Sequence, residues 1–190
     1  MERTNKTVSD QAMESEWKEI QAAQQDLRHF RPLYDRYYEN IFRFIFRRTA
    51  DESLSGDICS QVFLKAMQKL GSYSFRGVPF SAWLFRIASN EVTQHFRNVQ
   101  KQRVVSLDES NIEDMLDELN AKSESTEKEQ RRIFLQCLQS LKPSDLQLIE
   151  LRFFEKRAFR EIAAILQITE SNAKVKTYRI IERMRKKFKT

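Results

Sequence analysis

The stretch Phe159–Phe188, FREIAAILQITESNAKVKTYRIIERMRKKF, sets two short amphipathic segments on either side of a tight Gln-Ile-Thr. At about 100° per residue from Ala173, Thr177, Ile180 and Met184 stay on one side and form a seam to be buried. Ser171, Val175, Tyr178, Arg179 and Glu182 face away from it, with Asn172 and Lys174 on the flanks. Ile162, Ala163 and Leu166 give the preceding segment an apolar face to set against the seam. This is the pattern of a helix-turn-helix, whose second helix enters the major groove by the N-terminal part of its outer face. Arg, Asn and Lys supply hydrogen bonds to base edges or phosphates, and Val175 can touch a thymine methyl. Gln167 stands where a glycine often ends the first helix, so a left-handed backbone there costs a side chain some strain. The bland alternative is a basic, solvated last helix in a three-helix bundle.

Charge is distributed unevenly along the chain. The 190 residues carry a formal net charge of +6. Residues 159–190 hold nine bases against three acids, whereas 107–129 hold nine acids against two lysines. A basic end beside an acidic middle suits a nucleic-acid partner for the end alone. Three glycines and three prolines are far below average usage, which points to an all-helical protein. No apolar run is long enough for a membrane span, and the polar first twenty residues lack a secretory core, so a cytoplasmic protein is expected. Cys59 and Cys137 stand far apart, which indicates neither a disulfide framework nor a metal site.

Working outward, apolar periodicity predicts three helices between residues 26 and 100. Phe30, Leu33, Tyr37, Ile41, Phe44 and Arg48 alternate three and four apart. Ile58, Val62 and Ala66 line a second helix, with Phe63 and Met67 beside them. Leu84, Ala88, Val92 and Phe96 line a third. Between the last two lies GSYSFRGVPFS, a loop with two glycines and a proline that also carries aromatics and an arginine. Periodicity fails over 101–126, which reads as a flexible acidic linker with a transient turn at NIEDMLDELN. A second helical domain occupies 127–190, with Ser144 and Gln147 forming a capping box after Pro143. Residues 1–25 read as an N-terminal extension.

With both halves in view, the chain resembles a bacterial RNA polymerase sigma factor of the extracytoplasmic-function (ECF) type. In the first half the resemblance rests on LYDRYYENIFRF, DICSQVFLKA and above all FRGVPFSAWLFRIASN. In the second it rests on LQSLKPSDLQLIELRFF and FREIAAILQITESNAKVKTYR. It implies an all-α protein of two small domains, sigma-two-like and sigma-four-like, joined by the linker. It implies no enzyme activity and no cofactor. The partners it implies are promoter DNA, core RNA polymerase through its β′ and β subunits, and an anti-sigma factor.

Carried over residue by residue, the resemblance places −35 reading on Ser171, Asn172, Lys174, Val175, Tyr178 and Arg179. It places the −10 contacts, including a base flipped from the non-template strand, on Phe75, Arg76, Gly77, Phe80 and Asn90. Exposed bases stack on aromatics while basic side chains track phosphates, and Arg76, Arg86, Arg97, Lys101 and Arg103 are the candidates for the second task. Trp83 and Phe85 read as core. Core-polymerase binding falls on Asp57, Ser60, Gln61, Phe63 and Leu64. Here the chain departs from the family pattern, since Ser60-Gln61 stands where Gln-Glu is usual and one acid is missing. Ser171-Asn172-Ala173 for Gly-Thr-Val implies a distinct −35 preference.

Two rival classes remain at this level. A free-standing helix-turn-helix regulator would need residues 26–100 for dimerisation or ligand sensing, and FRGVPFSAWLFR is an odd choice for that. An enzyme has little to work with. His29 and His95 have no carboxylate or cysteine at ligand spacing, and no glycine loop could cradle a phosphate.

Overall fold

The computed structural model describes residues 10–99, 109–119 and 126–188. It is helical, with no strand among the described residues, and it divides into two compact units. Residues 10–99 and 164–166 form the first. The second takes in 109–119, 126–163 and 167–188.

The first unit contains four helices: α1 (Asp10–Gln25), α2 (Arg31–Thr49), α3 (Glu52–Lys69) and α4 (Phe80–Val99). Met13, Ile20 and Ala23 put an apolar stripe on α1, so the helix belongs to the core rather than to a loose extension. Asp26 then caps a 3-10 turn by accepting the Arg28 N–H at 3.0 Å. Pro32 sits in the first turn of α2, where its missing N–H costs nothing. Leu33, Ile41, Phe44, Ile45 and Arg48 are buried along α2. The helix stops at Ala50, left-handed at φ 51°, whose N–H donates to the Phe46 carbonyl. Asp51 caps α3 by accepting the Leu54 N–H. Ile58, Cys59, Val62, Phe63 and Ala66 face inward from α3, and Phe80, Leu84, Phe85, Ala88 and Val92 do so from α4. The predicted stripes thus face the core, with Tyr37, Met67 and Phe96 at its half-buried margin.

The second unit contains α5 (Glu109–Glu118), α6 (Glu127–Gln139), α7 (Pro143–Ile149), α8 (Phe159–Leu166) as far as Ala163, and α9 (Glu170–Phe188). Here the structure differs from the predicted linker. Residues 109–118 are a regular helix, and Ile112, Met115 and Leu119 are buried beneath it. Its acidic face is tethered, with Asp114 at 3.2 Å from Lys156 and Glu109 paired with Arg131. The predicted capping box is also absent. The helix starts at Pro143, with Lys142 as its cap residue and no side-chain cap bond. Proline's fixed φ suits the first helical position, which moves Ser144 inside the helix. After α7 the coil widens into a π turn over Glu150–Phe154, closed by the Glu155 N–H on the Glu150 carbonyl at 2.9 Å. Such turns displace the following chain relative to a continuous helix.

Candidate nucleic-acid interface

The tight turn between α8 and α9 is built on Gln167, at φ 56° and ψ 44°. The Ile168 N–H donates to the Ala163 carbonyl at 3.1 Å, closing α8. Thr169 then opens α9, its hydroxyl oxygen accepting the Asn172 N–H at 3.2 Å. Ala173, Thr177, Ile180, Ile181 and Met184 are buried along α9, and the Thr177 hydroxyl is satisfied by the Ala173 carbonyl at 2.8 Å. The seam is one residue wider than the sequence shows, through Ile181.

All six residues expected to read the −35 element are exposed on α9: Ser171, Asn172, Lys174, Val175, Tyr178 and Arg179. Val175 and Tyr178 are 46% and 49% exposed, an unusual use of apolar surface on an otherwise charged helix. Tyr178 is braced by Phe159 of α8, centroids 6.1 Å apart. Phe159 carries the Arg152 guanidinium 4.7 Å above its ring. The basic tail of α9 is less available than its composition implies. Arg183 pairs with Asp145, Arg185 with Glu182, and Lys187 donates to the Ser140 hydroxyl. Arg183 and Lys187 tie α9 to α7 and to Ser140 after α6, whereas the Arg185–Glu182 pair lies within α9.

In the first unit the loop joining α3 to α4 presents Phe75, 39% exposed, and Arg76, also exposed. Gly77 takes φ 69°, a backbone that side chains rarely adopt, and so turns the loop back toward α4. Asn90 is exposed on α4. Phe80 differs from expectation. It is 1% exposed, packed between Tyr73 and Trp83 at 5.2 and 5.3 Å, so its ring anchors the loop and cannot stack a base. Burial pushes the Tyr73 hydroxyl up to about 12, with the Glu16 charge adding to the shift and Arg76 opposing it. Trp83 is half-buried and Phe85 fully buried, as expected of core residues. Among the candidate phosphate contacts, Arg76 and Arg97 are exposed and Arg86 is half-buried. Lys101 and Arg103 lie outside the described residues.

The proposed docking face of α3 is only partly as expected. Asp57, Ser60 and Gln61 are exposed and Leu64 is 43% exposed. Phe63 is 2% exposed, enclosed by Tyr34 at 4.7 Å, Tyr38 at 6.2 Å and Phe30 at 6.5 Å. It is a core residue that holds α3 against α2, and no partner can reach it. Asp57, Ser60 and Gln61 instead border a groove of about 530 Å³ whose far wall is Glu91, Gln94 and His95 of α4. Lys65 ties that wall to α3 through Glu91 at 2.6 Å.

The missed contributors are on α1. Glu16, Trp17 and Gln24 all touch the loop after α3 or its ends. A tryptophan and a glutamate beside a well-formed apolar stripe were the available signal.

Sequence comparison agrees with this division. The family description "Sigma-70 region 2" matches residues 33–102, and "Sigma-70, region 4" matches 131–184. The RNA polymerase sigma factor YlaC of Bacillus subtilis is 30% identical over 137 residues, covering 70% of this chain and 77% of YlaC. The ECF RNA polymerase sigma factor BldN of Streptomyces coelicolor is 28% identical over 156 residues, 80% of this chain but only 57% of BldN. Among solved structures, CnrH in complex with the cytosolic domain of CnrY shares the fold, with a TM-score of 0.57 and 21% identity over 90% of this chain and 92% of CnrH. The chain belongs to the ECF RNA polymerase sigma factors. Its function is that of a promoter-directing sigma factor, which a free-standing regulator does not match, and its relatives are not themselves enzymes. No helix among the described residues is long and apolar enough to cross a membrane.

Proposed function

We propose that the two units divide promoter recognition between them. The second lays the N-terminal half of α9 in the major groove of the −35 element, with Asn172, Lys174 and Arg179 hydrogen-bonding to bases or phosphates. Ser171, Val175 and Tyr178 complete the contact. The first unit holds an extruded −10 base against Phe75 and Arg76, with Asn90 of α4 as a further contact. Asp57, Ser60, Gln61 and Leu64 dock the protein on the β′ subunit of core polymerase, and the whole acts in the cytoplasm. An anti-sigma partner belongs to the same reading; CnrH was solved bound to the cytosolic domain of CnrY.

The observation that carries this reading is the outward face of α9. Six residues of hydrogen-bonding, methyl-bearing or aromatic type stand exposed over a fully buried seam. The test is reconstitution with core polymerase, followed by mapping of transcript starts. A sigma factor protects promoter DNA only when core is present. A footprint on duplex DNA by the isolated chain, with no effect of core, would favour the regulator.

A further inference from the structure

Both ends of the loop between α3 and α4 are tied to a single helix, α1. Where the loop begins, Gln24 Nε2 donates to the Leu70 and Tyr73 carbonyls at 2.9 and 2.8 Å. Where it ends, the Phe80 N–H donates to Glu16 Oε2 at 3.2 Å. Between those ties Trp17 lies against Tyr73 and Phe75, with ring centroids 6.0 and 6.2 Å away. Glu16 and Gln24 are about 12 Å apart along the helix axis, so α1 acts as a ruler for the loop's span.

Glu16 is itself held in place. It is 6% exposed, and its second oxygen accepts from the Tyr37 hydroxyl and from Arg36 Nη1. A carboxylate this buried is tolerated only when its oxygens are paired, and here one of the partners is the backbone that ends the loop.

We propose that α1 is a template for the −10 loop, in which Glu16 and Gln24 are positioning residues for its two ends and Trp17 sets the attitude of Phe75. The role rests on this loop being the −10 contact. Ordering a free loop costs about 1–2 kcal/mol of backbone entropy per residue. A loop already fixed at both ends meets an extruded base without that cost, so loss of a tie appears as weaker base discrimination.

The experiment uses holoenzyme reconstituted with core polymerase, on one promoter library randomised across the −10 element and another across the −35 element. The variants are Gln24→Ala, Glu16→Ala, Glu16→Gln and Phe75→Ala, each checked for folding by thermal melting. Gln24→Ala should lower −10 discrimination roughly tenfold, the size of two net hydrogen bonds, and leave −35 discrimination intact. Glu16→Ala should do the same. Glu16→Gln keeps an oxygen for the Phe80 N–H and should retain most of the preference. If Glu16→Ala fails to fold, Gln24→Ala decides, because its side chain leaves from the last turns of α1. Parental −10 discrimination in Gln24→Ala, with Phe75→Ala defective, overturns the template. So does an equal loss in both libraries, which is plain destabilisation. Parental discrimination in Phe75→Ala removes the loop from −10 reading altogether, and the template role with it.

Discussion

Gln167 and Ala163 meet where α8 ends. The Ala163 carbonyl accepts from the chain just beyond the helix while Gln167 holds a left-handed backbone at φ 56°. Glycine reaches that conformation without the side-chain clash that costs an L-residue roughly 1–2 kcal/mol, although it also loosens the unfolded chain. Gln167→Gly should therefore stabilise the protein by about 0.5–1 kcal/mol. Denaturant unfolding checks it, and Ala50→Gly, at φ 51° after α2, should behave alike in the other unit. Destabilisation at both positions would contradict the strain.

Arg179 and Arg183 stand one turn apart on α9 and should respond differently. Arg179 is exposed on the reading face, whereas Arg183 is engaged by Asp145 of α7. If Arg179 reads a base, Arg179→Ala should cost roughly 1–3 kcal/mol of promoter affinity and relax preference at one −35 position. If it grips only a phosphate, all −35 sequences should weaken together and the salt slope should fall by about one. Arg183→Ala should instead appear in the melting curve, by less than about 1 kcal/mol for a pair with one exposed member. Transcription from a −35 library at two salt concentrations separates these cases.

Core binding should follow exposure. Leu64→Ala and Asp57→Ala should weaken capture of core polymerase without changing the unfolding free energy by more than about 0.5 kcal/mol. Phe63→Ala should cost about 3–5 kcal/mol of stability, because it empties a site closed by three aromatic rings. Wild-type capture by folded Asp57→Ala and Leu64→Ala proteins would remove this face from docking.

Local periodicity makes some of this molecule legible and hides the rest. Exposure on α9 follows from helical geometry acting on one segment, which turns Ser171, Val175, Tyr178 and Arg179 outward and leaves Asn172 and Lys174 on the flanks, where they are also exposed. Phe63 sits at helical spacing too, but what closes over it is Tyr34 and Tyr38 from another helix. Phe80 is hidden for the same reason, by Tyr73 and Trp83. Glu16 is the extreme case, since its partners lie 20, 21 and 64 residues away and no local pattern reports them. In α5 a strongly acidic composition conceals Ile112, Met115 and Leu119 at helical spacing.

That spacing makes α5 part of the second unit rather than a tether. Met115 is fully buried, and truncating a buried Met costs about 2–5 kcal/mol in a well-packed site. A short surface helix lies at the low end, so Met115→Ala should destabilise by about 2 kcal/mol. Asp117→Ala, whose side chain faces outward in the helical register, should be nearly neutral. A Met115→Ala protein with an unchanged melting curve would return the segment to a linker.

Alkaline pH should weaken the first unit. Burial pushes the Cys59 thiol up to about 12 from its ordinary 9.0, and the Tyr73 hydroxyl up to about 12 from 10.0. Tyr37 moves in the same direction, through burial first and then the charge of Glu16. For each group the folded state favours the protonated, neutral form. Their contribution is therefore complete below the unfolded values and is lost as pH rises toward the folded ones. The unfolding midpoint should hold up to about pH 9 and fall steadily between pH 9 and 12, with Cys59 supplying at most about 1.4 kcal/mol per pH unit. Tyr73→Phe should shallow the decline above pH 10, since phenylalanine has nothing to ionise. Cys59 should also resist thiol reagents in the native protein and react on unfolding, because the thiolate is the nucleophile. Rapid native-state labelling of Cys59, or a midpoint that stays level to pH 11, would mean that these groups are far less enclosed than α1, α2, α3 and α4 make them.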